Sequence, residues 1–327
     1  MSNLERKYFF KHVCNSFYTS MSMYKVLIFI AIILLIGTTA CSQEAQDSVQ
    51  PNYDQLPLSI SDVKPLRSLI DAPMQDRLME VLNKNKKWKR LIANKKMAVG
   101  LVDLRDPNNV KYARVNGNVM MYAASLPKIA ILLAAEDALE KGELADSDSI
   151  QQDLRQMISK SNNQAATRMI DRLGYDKIEQ VLKDPIYDLY DEDYGGGLWV
   201  GKRYAKLGAR HPEPMKGLSH AATVSQVCRY YYMLAYGKLV SYDRSKIMLN
   251  MMVDPELHHK FVNTLDQVAP KAKIFRKSGT WKNFHTDSVL VWGPEWRRYI
   301  LVALIEDPDG EKICRDLVTE MEKVLNH

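Results

Sequence analysis

The sequence predicts a mixed α/β (α+β) fold, an antiparallel sheet built from both ends of the chain and packed against a helical subdomain. Three observations predict it. Strand-like alternation around a turn occupies residues 97–115, three more strand patterns fall within 273–305, and helical periodicity dominates the stretch between them. The 327 residues are 46% apolar and 26% charged, which suits a soluble globular protein with a sizeable core.

The chain opens on what reads as an export segment. Arg6, Lys7, Lys11 and Lys25 precede the apolar run Val26 to Ile36, which leads through Gly37-Thr38-Thr39-Ala40 to Cys41. That run is about 11 residues, against the ~20 that span a bilayer, and fits a signal-peptide apolar region. Small residues before Cys41 resemble a bacterial lipobox, so residues 1–40 are expected to be cleaved and Cys41 lipidated. An ordinary signal cut near Ala40 and an uncleaved anchor are the alternatives. Met21 or Met23 would start a more typical signal. Residues 41–75, rich in Gln, Ser, Asp and Pro, read as a flexible tether to a folded domain over 76–327.

The domain's elements follow in order. Met97 to Val102 and Val110 to Val115, joined by Asp106-Pro107-Asn108-Asn109, predict a β-hairpin. A helix opens at Ser125, with Pro127 in its first turn and Ile129 to Leu139 apolar on most faces, hence buried. Helical patterns continue through Ile150 to Leu173 and Asp176 to Leu182, then a loop runs from Lys183 to about Ala222. Thr223 to Gln226 opens a capped helix to about Leu239, which ends a helical subdomain of about 125–240. Lys273 to Lys277, Thr286 to Trp292 and Arg298 to Ile305 are strands, and Glu311 to Leu325 is a closing amphipathic helix.

Charge and cysteines exclude several functions. Loss of residues 1–40 removes four basic residues and one acidic, lowering the formal charge from +6 to +3. No Lys/Arg run argues for nucleic acid, and Lys84 to Arg90 reads as a solvated turn or helix face. Cys228 and Cys314 lie in helical apolar stretches, where one disulfide or two buried thiols are both open. No Cys/His cluster has metal-ligand spacing, and neither a metal nor an organic cofactor is expected.

Chemistry concentrates in three short stretches: Ser125-Leu126-Pro127-Lys128, Ser161-Asn162-Asn163 and Lys277-Ser278-Gly279-Thr280. Ser-x-x-Lys alone means little, since Ser22/Lys25 and Ser61/Lys64 repeat it. A serine hydroxyl becomes a nucleophile only when a base takes its proton. Lys128, one helical turn beyond Ser125, is that base once burial and the charge of Lys277 depress its pKa. Ser161 relays a proton to a leaving nitrogen, and Asn163 holds a substrate amide. Gly279 leaves room for a substrate to approach the strand, and the N–H groups of Ser125 and Thr280 are paired oxyanion donors.

Together and in this order, the stretches resemble the Ser-x-x-Lys, Ser-Asp-Asn and Lys-Thr/Ser-Gly elements of penicillin-recognising serine enzymes, nearest to the class A β-lactamases. The resemblance covers about residues 76–327 and implies the β-lactamase/transpeptidase-like fold. It makes Ser125 the acylated nucleophile, Lys128 the base or relay, Ser161 the proton shuttle, Asn163 an amide contact, and Lys277 with Ser278 the carboxylate binders. The implied function is hydrolysis of β-lactams through an acyl-enzyme. Its implied location is the bacterial cell envelope, with a membrane lipid anchor at Cys41.

Two departures bear on turnover. Asn162 stands where the family carries Asp, and the register of the water-activating Glu falls near Gly195 to Gly197. The nearest acids, Asp191, Glu192 and Asp193, read as loop surface charges, so slow deacylation is expected. A D-Ala-D-Ala carboxypeptidase or other cell-wall amidase or esterase is the alternative. A non-catalytic envelope binding protein is a third, disfavoured by retention of Ser125, Lys128, Ser161 and Lys277 together. Tyr122, Trp199 and Trp281 are aromatic candidates for lining a cleft, though core or rim packing explains them as well.

Overall fold

A computed structural model of the chain describes residues 63–293 and 296–326. The export segment, Cys41 and the first part of the expected tether lie outside the described residues.

Structure begins earlier than the tether expectation allowed. Leu66 is buried, Ile70 bridges Tyr112 in parallel, and helix α1 (Ala72–Lys84) starts at an Asp71 cap that accepts the Met74 N–H at 2.9 Å. The polar composition hid two anchors, Leu66 and Met74, which are both buried. Helix α2 (Lys86–Ala93) follows at once, capped by Asn85. Its basic run is amphipathic, with Trp88 and Leu91 buried and the lysines outward.

The main sheet joins both chain ends. Strands β1 (Met97–Asp103) and β2 (Lys111–Val115) form the expected hairpin. After the two-residue strand β3 (Met121–Tyr122), a turn holds Ser125, and helix α3 runs from Lys128 to Glu140. The helix therefore opens at Lys128, not Ser125. Ala124 has φ +50°, and Leu126 N–H bonds the Ala123 carbonyl at 3.0 Å, so the chain turns sharply before it coils. Every α3 residue from Lys128 to Leu139 is buried, as its apolar composition demands.

The pattern over 150–173 resolves into helices α4 (Asp148–Ser159) and α5 (Asn163–Leu173). Between them Ser161 takes φ +56°, and the Asn162 side chain caps α5 by accepting the Ala165 N–H at 2.9 Å. Helix α6 (Tyr175–Lys183) leads into the long loop, which contains short strands: β4 (Tyr190–Asp191), β5 (Gly196–Gly197), β6 (Trp199–Val200) and β7 (His220–Ala222). Strand β7 lies between β3 and β6, so the end of the loop is pinned beside the residues that precede Ser125.

Helix α7 (Val224–Ala235) begins at the expected Thr223 cap. Helices α8 (Tyr242–Met252) and α9 (Phe261–Val268) were not read from the sequence. Strands β8 (Lys273–Trp281), β9 (Phe284–Trp292) and β10 (Arg298–Glu306) complete the sheet, and helix α10 (Gly310–Leu325) closes the chain. The order is β2-β1-β10-β9-β8, antiparallel throughout, with β8 at a free edge.

Strand alternation sends side chains to two cores. Ala98, Val102, Ile300 and Val302 face the helical subdomain, while Val99, Leu101, Leu301 and Ala303 face α1, α2, α9 and α10. Cys228 lies in the first core and Cys314 in the second, both free, so the buried-thiol reading holds.

Candidate active site

Three segments converge at the free edge of β8. The turn 123–126 abuts Gly279 so closely that a Cβ added there would lie 2.6 Å from Ser125 N and 2.8 Å from Leu126 N. The absent side chain at Gly279 thus admits the protein's own backbone, not the substrate as the sequence suggested. Thr286 Oγ1 ties the same point together, donating to the Ala123 carbonyl at 3.1 Å.

Behind this turn stands a pair of buried lysines. Lys128 Nζ donates to the Ser161 carbonyl at 2.6 Å and to Asn163 Oδ1 at 2.8 Å, and lies 3.4 Å from Ser161 Oγ. Lys277 Nζ reaches Ser161 Oγ from the other side at 2.9 Å and its neighbour's carbonyl, Ser278 O, at 2.8 Å. The Ser161 hydroxyl is therefore held between two lysine amines. The left-handed backbone at Ser161 is what turns both its carbonyl and its hydroxyl toward them. Among the described residues no hydrogen bond joins Lys128 Nζ to Ser125 Oγ; the amine rests on the second motif instead.

Burial is the leading influence on both amines. Desolvation pushes the Lys128 ammonium down to about 7. Lys277 is lowered well below the ordinary lysine value by burial first, and then by the charge of Lys128. The sequence expectation that Lys277 depresses Lys128 gives way to a simpler cause, enclosure by the apolar helix α3.

A cavity of about 880 Å³ opens onto Ser125, Asn163 and Thr280, and Tyr122 and Trp281 are among its walls. Ser278 is buried and does not line it. Trp199 is core, with Nε1 donating to the His211 carbonyl at 2.8 Å. Four cations, Lys202, Arg203, Lys206 and Lys282, line the cavity, and no carboxylate does. Asp191, Glu192 and Asp193 sit elsewhere: Asp191 caps its own turn and Glu192 lies 3.8 Å from Lys183.

Sequence reasoning missed Tyr204, His220 and Lys260, which have no motif around them. The Tyr204 ring covers Lys128 Nζ at 4.5 Å, and its hydroxyl donates to the Ala124 carbonyl at 3.2 Å. The His220 ring lies 4.2 Å from that of Tyr204, and burial holds its pKa down at about 4, so the ring is neutral at pH 7. His220 Nε2 lies 3.0 Å from the Lys202 carbonyl, while Nδ1 is buried with no hydrogen-bond partner. His220 is adjacent to Ser125 through the backbone, since its carbonyl accepts the Ala123 N–H at 2.9 Å. Among the described residues no group of three or more His, Cys, Asp or Glu is placed to hold a metal ion.

Comparison with known proteins agrees with this architecture. A β-lactamase from Sphaerobacter thermophilus superimposes with a TM-score of 0.57 at 17% identity, covering 70% of this chain and 91% of that one. A variant of the class A β-lactamase of the last common ancestor of Gram-negative bacteria gives 0.59 at 13% identity, covering 78% and 99%. PBP-A gives 0.55 at 18% identity, covering 77% and 97%. No curated protein matches the chain in sequence. Residues 146–325 match the beta-lactamase enzyme family, a span that takes in Ser161, Asn163 and the strand 277–280. With more than half its length inside that match and the β-lactamase fold around it, the chain belongs to the beta-lactamase enzyme family.

Proposed function

We propose that the protein is a serine hydrolase that opens β-lactams through an acyl-enzyme on Ser125 and releases the product slowly. The observation that carries this reading is the Ser161 hydroxyl held between Lys128 and Lys277, directly behind the Ser125 turn. In the reaction, Ser125 Oγ attacks the lactam carbonyl while its proton passes to the Lys128 amine, which near neutral pH is available as a base. The carbonyl oxygen takes up the negative charge, facing the N–H groups of Ser125 and Thr280. As the C–N bond breaks, Ser161 gives its proton to the departing nitrogen and is resupplied from Lys128 or Lys277.

Release needs an activated water, and the cavity supplies no carboxylate to make one. His220 is the one histidine among the cavity's lining residues and is neutral at pH 7, but its Nδ1 is buried. Slow deacylation follows. Incubating the full-length chain with benzylpenicillin, beside Ser125→Ala, tests the proposal by intact mass and ring opening together. A Ser125-dependent adduct that outlasts many turnovers' worth of time supports it; no adduct and no ring opening sinks it.

A second reading is favoured by the cationic lining of Lys202, Arg203, Lys206 and Lys282. An acyl donor with a free carboxylate, such as a cell-wall stem peptide ending in D-Ala-D-Ala, suits that charge. Release of D-Ala from a model peptide by wild type but not by Ser125→Ala distinguishes it. We also propose export and lipid anchoring at Cys41. Metabolic labelling with palmitate, lost in Cys41→Ser, is the check.

A further inference from the structure

Lys260 lies outside the three motifs, in the residue before α9, and is fully buried. Its backbone has φ +55° and ψ −124°, a region that L side chains rarely occupy. Neither burial of an ammonium nor this backbone is cheap, so the surroundings must over-determine both. Asp287 fixes the place: it is paired with Arg276 at 2.8 and 2.9 Å, and its Oδ2 accepts the Phe261 N–H, next in sequence to Lys260, at 3.1 Å.

From there the ammonium spends its three N–H bonds on one spot. Lys260 Nζ donates to the Gly279 carbonyl at 2.6 Å, to Thr280 Oγ1 at 2.7 Å and to the Thr286 carbonyl at 3.0 Å. The Thr286 hydroxyl, whose one proton goes to the Ala123 carbonyl at 3.1 Å, lies 3.3 Å from the same Gly279 oxygen. The Gly279 carbonyl is one end of the peptide whose other end is the Thr280 N–H. In a planar trans peptide these two groups point in opposite directions. Gly279 stands opposite Thr286 of β9, so a carbonyl anchored on that side turns the Thr280 N–H toward the free edge of β8, where Ser125 N packs on Gly279. A charge-assisted bond to the carbonyl also polarises the peptide and strengthens its N–H as a donor. The hydroxyl follows the same logic. An ammonium has no acceptor, so Thr280 Oγ1 accepts from it and keeps its own hydrogen for another partner.

We propose that Lys260 is a positioning residue for acylation, clamping the Gly279–Thr280 peptide so that the Thr280 N–H meets the oxyanion of the acyl donor. The proposal rests on acylation of Ser125 as set out above. It predicts a separation of rate from binding, because the oxyanion exists only as the bond to Ser125 forms.

The test follows adduct formation on the full-length chain by intact mass across a range of benzylpenicillin concentrations. Lys260→Met is expected to slow the saturating acylation rate on the order of 30-fold, less than the ~10²–10³-fold loss of an oxyanion donor outright, with the half-saturating concentration little changed. Lys260→Arg is expected to recover part of the rate. Acylation of Lys260→Met at the wild-type rate, or a loss confined to the half-saturating concentration, would overturn the proposal while leaving Ser125 acylation standing. Wild type that never acylates overturns both. Should Lys260→Met fail to fold by circular dichroism, Lys260→Gln keeps a polar side chain in the pocket but removes the charge and at least one of the three donors. It too should acylate slowly, and a wild-type rate there counts against the clamp.

Discussion

Lys128 shows how one buried amine ties sequence to chemistry. Its pKa near 7 means that the folded protein frees the amine above about pH 7, while an unfolded chain holds the proton up to 10.5. Acylation should therefore rise with pH through about 7 and then level off, falling about tenfold per pH unit on the acid side. The same depression lets this group add stability as pH climbs from about 7 toward 10.5, since the unfolded state binds the proton that the folded one has released. Lys128→Ala should slow acylation by roughly 10³-fold and abolish the acid limb, read from adduct formation across pH. Gly279 is the matching steric case. Gly279→Ala drives a methyl into the Ser125 turn, and overpacking of this kind costs about 1–3 kcal/mol, measurable by urea denaturation. These residues were legible because each motif couples a chemical group to a fixed spacing. Lys260 and His220 were not: a lysine after two histidines and a histidine before two alanines carry no pattern, and only the folded chain brings them to β8 and β3.

At the scale of elements, the break at Ser161 is the decisive departure from periodicity. Apolar residues continue in helical phase from Ile150 to Ile170, so the pattern reads as unbroken, yet Ser161 must leave the helix to meet both lysines. Asn162 makes this affordable by capping α5. Asn162→Ala should cost about 1 kcal/mol in thermal or denaturant unfolding and also slow acylation, because the cap holds the turn that presents Ser161. Unchanged acylation in a destabilised variant would detach the cap from the site. Elsewhere, the inner strands β9 and β10 and helix α10 were legible from short apolar, β-branched runs and a clean amphipathic stripe. Helices α8 and α9 escaped because polar residues interrupt them within about three turns, and the long loop's strands are only two or three residues each.

On the scale of the whole molecule, two cores share one sheet, and the site sits where the sheet's free edge meets the helical subdomain. The N-terminal segment belongs to that architecture, since Leu66 enters the helical core and Met74 the opposite one. A chain shortened to begin at residue 76 should lose stability by several kcal/mol, consistent with loss of two buried apolar side chains, and thermal unfolding reads the difference. Composition alone argued otherwise because a few apolar anchors do not offset many polar residues in a window average. The family and fold agree with the motifs, but they leave release of the acyl group to this chain's own cavity, which is cationic and free of carboxylates. Acylation of Ser125 without efficient release is the behaviour that such a cavity favours. The most direct measurement is intact mass of the full-length chain after mixing with benzylpenicillin, against Ser125→Ala, with ring opening followed in parallel. Wild type is expected to carry a long-lived adduct and Ser125→Ala none, with little ring opening beyond one equivalent. Rapid turnover without an adduct, or an adduct that persists in Ser125→Ala, would contradict that expectation.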